Sequence, residues 1–488
     1  MVIQTETDMD WNARLQALES ASRDLEPAAN ERKTISDQAC AYAEAFLESL
    51  PACKTYVQDQ GSSEGLDGRI AETPTRLKDL LAELGSSVDG PGINPASGGH
   101  LGYIPGGGLY PSAVGGFLAG ISNRYSGVHF ASPGAVRMEK ALVRWMAELV
   151  GLPETAGGDL TSGGSTANLS AIVTARDTCK LHCADIPQSC VYMTRHVHHC
   201  VHKALRIAGL GECQLRFVPM DRRFRMDDSV LEDMIQADQD RGLRPWMVVA
   251  SAGTTDTGAV DPLLKIAAIC AAKGLWLHVD AAYGGFFLLC EEGRRALAGL
   301  DKADSIVMDP HKGLFLPYGT GAVLVRDERL LAQAHHYQAD YMQDARLGDS
   351  GFSPADLSAE LSRPFRGLGL WLPLKLFGLA PYRAALAEKI WLARYFHERL
   401  SGMAGFVTGP FPDLSVLTFA YRPKQGDAED ANRRLLQAVL RDGRVFISST
   451  RVHGQFTLRA AILHFRTHRA EVDHLLEVLG RAARSLSA

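Results

Sequence analysis

A lysine acts as a nucleophile only as the neutral amine, so covalent lysine chemistry needs a site that disfavours its charge. Residues 305–326, SIVMDPHKGLFLPYGTGAVLVR, offer such a site. The runs at 305–308 and 322–325 are short and β-branched, which predicts two buried strands. Asp309-Pro310-His311 then delivers Lys312 into the loop between them. Proline cannot extend the ladder, so the first strand is expected to stop near Asp309. Desolvation between the strands is expected to favour the neutral amine, the form that makes Schiff bases. A solvated loop lysine is the plainer reading of any single lysine, and three stretches upstream decide against it.

One of them ends in an acid. Residues 275–280, LWLHVD, read as a buried strand that finishes at Asp280 and runs into Ala281-Ala282-Tyr283-Gly284-Gly285. An aspartate at the carboxyl end of an apolar strand faces the crevice where open α/β sheets take ligands. A second stretch, 158–176, is GDLTSGGSTANLSAIVTAR: a short strand, a glycine-serine turn, then a helix. Backbone N–H groups at that helix start, around Gly164 and Ser165, make an anion cradle. Such a turn is common by itself. No lysine follows as in a Walker loop and no GxGxxG is present, which counts against nucleoside triphosphates and dinucleotides.

The third stretch is a strand at 191–194 followed by Arg195-His196-Val197-His198-His199-Cys200-Val201-His202. His198 and His202 lie one helical turn apart with Cys200 between them, a spacing a metal could use. No carboxylate or cysteine pair elsewhere shows zinc spacing, and the run sits where a strand gives way to a helix. No metal is therefore expected. A strand at 247–251 meets Ala252-Gly253-Thr254-Thr255, which adds a threonine pair to the same set of strand ends.

These positions need a scaffold, and the chain supplies one. Strands expected at 159–161, 191–194, 217–219, 247–251, 275–280, 305–308 and 322–325 alternate with helices, among them 227–240 and 262–273. That alternation predicts an α/β fold with a mostly parallel sheet and helical crossovers. With 488 residues, 46% of them hydrophobic, the chain can bury a large core and divide into two or three parts. Residues 1–90 read as a helical arm, with helices between 10 and 50 and a short one at 73–84 opening at Thr73-Pro74. The arm has too little apolar surface to fold alone. Residues 91–375 form the large domain, and the helix-rich stretch 371–400 leads out of it. Residues 376–488 form a small α+β domain with strands at 415–421, 445–448 and 457–463 and helices at 428–442 and 469–484.

Residues 90–108, GPGINPASGGHLGYIPGGG, are either a flexible linker or a pocket wall; His100, Tyr103 and Ile104 among the glycines favour the wall. Lysine plus arginine (51) nearly balance aspartate plus glutamate (56), and a net charge of −5 argues against nucleic acid or an anionic membrane as partner. No apolar run approaches the ~18 residues of a membrane span. The acidic N-terminus does not read as a secretory signal, and nine cysteines in so long a chain form no disulfide framework. A cytoplasmic protein with reduced thiols is expected.

Taken together, VDAAYGG, DPHKG, TSGGSTAN and AGTTDTGAVDP resemble the group II pyridoxal-phosphate-dependent decarboxylases, the family of aromatic amino acid, glutamate and histidine decarboxylases. The resemblance runs from residue 99 to the C-terminus. It implies a fold type I enzyme, with a seven-stranded-type sheet, that uses pyridoxal 5'-phosphate. Lys312 would hold the cofactor as an aldimine and Asp280 would pair with the pyridine nitrogen. His198 would stack on one face of the ring and Ala282 would lie against the other. Gly164, Ser165 and His311 would bind the phosphate, and Thr255 would stand near the ring hydroxyl. Arg459 in FTLRAAI matches an arginine implicated in holding the substrate carboxylate. Asp309 departs from the asparagine of many relatives, and a carboxylate there would repel the phosphate.

Within the family, Tyr103-Ile104-Pro105 matches a triplet lining the side-chain pocket of the aromatic decarboxylases, with Ile104 in place of the usual phenylalanine. An aromatic or apolar L-amino acid is the expected substrate, decarboxylated to the amine. The resemblance also implies a homodimer with the site at the interface. A polar stretch with Tyr337, Tyr341, Gly348, Gly351 and Phe352 reads as a mobile lid, and the resemblance implies that such a lid supplies a proton-donating tyrosine. The register places that position nearer Phe352, which cannot donate. Oxidative decarboxylation to an aldehyde is therefore the first alternative. A fold type I aminotransferase is the second, and a non-enzymatic binding protein would not need the lysine, aspartate and histidine together.

Overall fold

The computed structural model describes residues 10–59, 68, 70–337 and 351–487. The chain divides into two compact units, Met1–Asn94 and Pro95–Ala488. In the first, the Asp10 side chain caps the helix Trp11–Ser22 by accepting from the amides of Asn12 and Ala13. Neither this helix nor Ala29–Ser49 buries a residue, so their packing contributes almost nothing to holding the unit together. The third helix, Leu77–Leu84, begins later than the Thr73-Pro74 start predicted for it, because the chain stays extended through its N-cap, Arg76. Two short strands, β1 (Tyr56–Val57) and β2 (Gly92–Ile93), pair antiparallel.

The second unit is built on a seven-stranded sheet: β3 (Gly157–Thr161), β4 (Ser189–Met193), β5 (Gln214–Phe217), β6 (Arg244–Ser251), β7 (Trp276–Asp280), β8 (Ser305–Met308) and β9 (Gly321–Val325). Their spatial order is β3-β9-β8-β7-β6-β4-β5. From β5 to β8 all neighbours are parallel, while β9 runs antiparallel to both β8 and β3. The reversal has a local cause. A parallel return needs a crossover helix, and the connection from β8 to β9 holds only the helical turn Pro310–Gly313. Helices such as Gly164–Thr178 and Leu263–Lys273 cover the sheet, whose buried strands are mostly apolar, with polar exceptions such as His278 and Asp280 on β7.

The strands β4, β6, β7 and β8 end at Met193, Ser251, Asp280 and Met308, so the segments carrying His198, Thr255, Ala282 and Lys312 leave from one edge of the sheet. β5 lies ahead of the predicted 217–219, because Pro219 has no N–H with which to extend the ladder.

A smaller antiparallel sheet follows: β10 (Phe406–Thr408), β11 (Val416–Tyr421), β12 (Ser448–Val452) and β13 (Gln455–Ala461), in the order β10-β11-β13-β12. The strand predicted at 445–448 begins only where that range ends. Phe446 instead spends its backbone on the glycine-rich loop, donating to the Gly99 carbonyl and accepting from the Leu101 amide. Leu101 in turn accepts from the Ala461 amide. The loop is stitched to the C-terminal sheet and is no linker. Gly106 packs on the lysine turn so closely that a Cβ there would stand 1.9 Å from the His311 carbonyl oxygen. Only glycine fits.

Candidate active site

Lys312 sits on the helical turn between β8 and β9, not in an open loop. Its Nζ lies 3.1 Å from Asp309 Oδ2, one turn back. Burial works against the ammonium, but the Asp309 carboxylate, and after it Asp280, outweighs burial and holds the amine above its usual range. This corrects the expectation of a neutral amine: desolvation acts in the expected direction and the buried aspartate overrides it. Asp309 is itself 1% exposed, and its Oδ1 is buried without a hydrogen-bond partner among the described residues. A Cβ on Gly164 would stand 2.8 Å from Asp309 Oδ2, and one on Gly321 would stand 2.6 Å from Oδ1. His311 donates from Nδ1 to the Thr320 carbonyl at 2.7 Å. Its Nε2 therefore carries a proton only as imidazolium, and burial lowers the pKa for that form.

Asp280 occupies the carboxyl end of β7 and accepts at Oδ1 from the Ala282 amide at 3.1 Å. Asn168 Nδ2 lies 3.4 Å from Oδ2 and also donates to the Gly164 carbonyl at 2.8 Å. Behind Asn168 stand three more polar groups. His278 Nε2 is 2.8 Å from Asn168 Oδ1, His278 Nδ1 is 2.8 Å from Ser305 Oγ, and Trp276 Nε1 donates to that hydroxyl at 2.8 Å. Sequence reasoning passed over Asn168 and His278. The signal was present in LWLHVD: period-two alternation puts Trp276, His278 and Asp280 on one face of the strand.

The helix Gly164–Thr178 opens with its first N–H groups unclaimed by the helix. His198 is the N-cap of His199–Ile207, and its Nδ1 accepts from the Cys200 amide at 3.4 Å, leaving the ring proton of the neutral imidazole on Nε2. Burial keeps His198 below its usual range against the pull of Asp280. Gly164, Ser165, His198, Thr255, Asp280, Ala282, His311 and Lys312 line a single cavity of about 290 Å³. That is near the lower end of the ~300–1,000 Å³ range of small-ligand pockets.

Three predicted residues stand outside that lining. Ile104 is buried in the main apolar core. Tyr103 is 59% exposed, in a left-handed backbone conformation, with its ring 5.7 Å from that of Phe446. Arg459 is buried, and it donates to Ser448 Oγ at 2.8 Å and to the carbonyls of Tyr103 and Thr255 at 3.0 and 2.6 Å. Its Nε is a buried donor without a partner among the described residues. Of the lid, Tyr341 and Gly348 lie outside the described residues. Tyr337 is exposed, and Phe352 packs against the apolar cluster that includes Ala171, Leu331 and Leu357. Beyond it the buried Arg363 binds Asp159 at 2.5 and 2.6 Å, Glu139 at 3.1 Å and the Leu160 carbonyl at 2.7 Å.

Residues 66–420 match the pyridoxal-dependent decarboxylase conserved domain. The chain is 31% identical over 446 residues to an aromatic-L-amino-acid decarboxylase of Bacillus atrophaeus, covering 90% of this chain and 92% of that one. It is 29% identical over 373 residues to a phenylacetaldehyde synthase of Arabidopsis thaliana, covering 72% and 76%. Among solved structures, Oryza sativa TDC with PLP and tryptamine superposes with a TM-score of 0.89 at 26% identity, covering 95% of this chain and 99% of that one. The cavity fits such a cofactor: its lining brings together glycines and free N–H groups at a helix start, an amine and a carboxylate acceptor. The chain belongs to the pyridoxal-dependent decarboxylase family, as a fold type I enzyme that uses pyridoxal 5'-phosphate to decarboxylate an amino acid.

Proposed function

We propose that the substrate is an aromatic L-amino acid and that the products are its amine and carbon dioxide. The observation that carries this reading is the likeness to an aromatic-L-amino-acid decarboxylase across nine-tenths of both chains. Tyr103, exposed beside Phe446 on the loop that packs over the lysine turn, gives an aromatic side chain a ring to lie against.

The cavity residues divide the work. Lys312 holds the cofactor covalently. A proton must first leave its ammonium, and the acceptor at 3.1 Å is Asp309. Gly164 and Ser165 would bind the phosphate with backbone N–H groups, with His311 beside them in the lining. Asp280 accepts from the ring nitrogen and favours its protonated form; at ~4 Å and an effective dielectric near 20 such a pair gains roughly 4 kcal/mol. Bound pyridoxal phosphate supplies a protonated ring that takes up the electron pair left by departing carbon dioxide. His198, a neutral imidazole, and Ala282 would flank that ring, and Thr255 would bind its hydroxyl. Arg459, with its unmatched Nε–H, is the cation for the substrate carboxylate.

A second reading, oxidative decarboxylation to an aldehyde, draws on Phe352 and on the phenylacetaldehyde synthase relative. We also read the enzyme as a cytoplasmic homodimer of three parts: arm 1–90, large domain 91–375 and small domain 376–488. Phe117, Leu118 and Ile121 are exposed on the helix Tyr110–Ser122, and arm helices without a buried residue suit a partner subunit.

Steady-state kinetics tests the substrate. L-tryptophan, L-tyrosine or L-phenylalanine should exceed L-glutamate in kcat/KM by on the order of 10²-fold or more. Preference for glutamate would overturn the reading.

A further inference from the structure

Behind Asp280 the polar groups have a direction. Trp276 Nε1 can only donate, so the Ser305 hydroxyl accepts from it; a neutral His278 whose Nε2 faces the Asn168 carbonyl oxygen leaves Nδ1 as an acceptor, to which that hydroxyl turns its own hydrogen. The His278 ring proton then sits on Nε2 and is donated to Asn168 Oδ1. That fixes the Asn168 amide, whose two hydrogens go to the Gly164 carbonyl and toward Asp280 Oδ2. The acceptor at Nδ1 requires a neutral imidazole, and burial supplies it by pushing His278 down to about 4.

The fold builds this line from three directions. Trp276, His278 and Asp280 alternate along β7, Ser305 is registered opposite His278 on β8, and Asn168 lies one helical turn after Gly164. Asn168 and His278 are fully buried and Ser305 is nearly so. We propose that Asn168 and His278 are positioning residues: with Ser305 and Trp276 they form a one-way hydrogen-bond relay that presents Asp280 to the cavity as an acceptor. Both Asp280 oxygens then receive a donor from behind, Ala282 N–H and the Asn168 amide. The remaining lone pairs are left for a cationic N–H in front. Without the His278 donor, the Asn168 amide is free to turn its carbonyl toward Asp280. Because Asn168 also holds the Gly164 carbonyl, the relay ties the acceptor to the anion cradle.

The inference rests on Asp280 facing the cofactor's ring nitrogen, and the test separates the two. Dissociation constants are measured on cofactor-free enzyme for pyridoxal 5'-phosphate and for its 1-deaza analogue, in which C–H replaces the ring nitrogen. Wild type should prefer the natural cofactor. His278→Asn reaches Ser305 but not Asn168, and should lower that preference ~10-fold or more. His278→Gln, which reaches Asn168, should keep most of it, and Asn168→Leu should behave like His278→Asn. The analogue should bind wild type and the two His278 variants alike, whereas Asn168→Leu, which also releases the Gly164 carbonyl, is read by its preference alone. Equal weakening of both ligands in His278→Asn would mean that packing alone is at stake, and an undiminished preference would mean that no relay acts; either overturns the proposal. No preference in wild type would instead overturn the role of Asp280, and the relay with it.

Discussion

Lys312 Nζ stands 3.1 Å from Asp309 Oδ2, nearer than His311 Nε2 at 3.7 Å. The free lysine is thereby kept as ammonium, and the carboxylate that keeps it so also borders the phosphate cradle at Gly164. Asp309→Asn removes a negative charge from both places. Cofactor capture near neutral pH should then be faster by on the order of tenfold, the equivalent of one pKa unit on Lys312. The sign follows from the raised lysine: the neutral fraction grows as its pKa falls. Stopped-flow absorbance after adding pyridoxal phosphate to cofactor-free enzyme reads the rate. Slower capture in the variant would show that Lys312 needs Asp309 as its proton acceptor more than it is held back by it.

Arg363 is enclosed by the Asp159 and Glu139 carboxylates and the Leu160 carbonyl. Removing it strands two buried acids, so Arg363→Met should lower stability by about 3–5 kcal/mol in denaturant titration. Burial pushes Glu139 up to about 7 against the pull of Arg363. A carboxyl raised on folding contributes stability that is full below its unfolded pKa and is lost as pH rises through the folded one. Stability should therefore fall on approaching pH 7, and Glu139→Gln should flatten that part of the profile. An unchanged slope in Glu139→Gln would assign the dependence to another group.

Phe352 lies near the lid and carries no hydroxyl, so it cannot protonate carbon. With amine as the proposed product, wild type should release no stoichiometric peroxide or ammonia, and Phe352→Tyr should leave the products unchanged. Tyr341→Phe should cut amine formation. Aldehyde and peroxide from wild type, converted to amine by Phe352→Tyr, would establish the oxidative reading instead.

What the sequence made legible were features set by local chemistry. Apolar runs marked the strands β6 to β9 to within a few residues, and Pro310 marked the end of β8. Cavity residues followed because each sits just past a strand or at a helix start, where type and position are both readable. Features set by tertiary partners were not legible. The charge on Lys312 depends on where the Asp309 side chain points, which the DPHK order does not reveal. Phe446 looked like strand, yet its backbone pairs with a loop far away in the chain. His278 was hidden inside an apolar run, and its partners Asn168 and Ser305 come from other elements.

The central claim is decarboxylation of an aromatic amino acid to its amine. L-tryptophan, L-tyrosine and L-phenylalanine carrying a ¹³C-labelled carboxyl group are to be turned over by the pyridoxal-phosphate-loaded enzyme, with labelled carbon dioxide and organic product quantified together. The account predicts labelled carbon dioxide and amine in equal amounts from at least one of the three, and neither from Lys312→Ala. Label retained in a keto acid, with no carbon dioxide released, would contradict it.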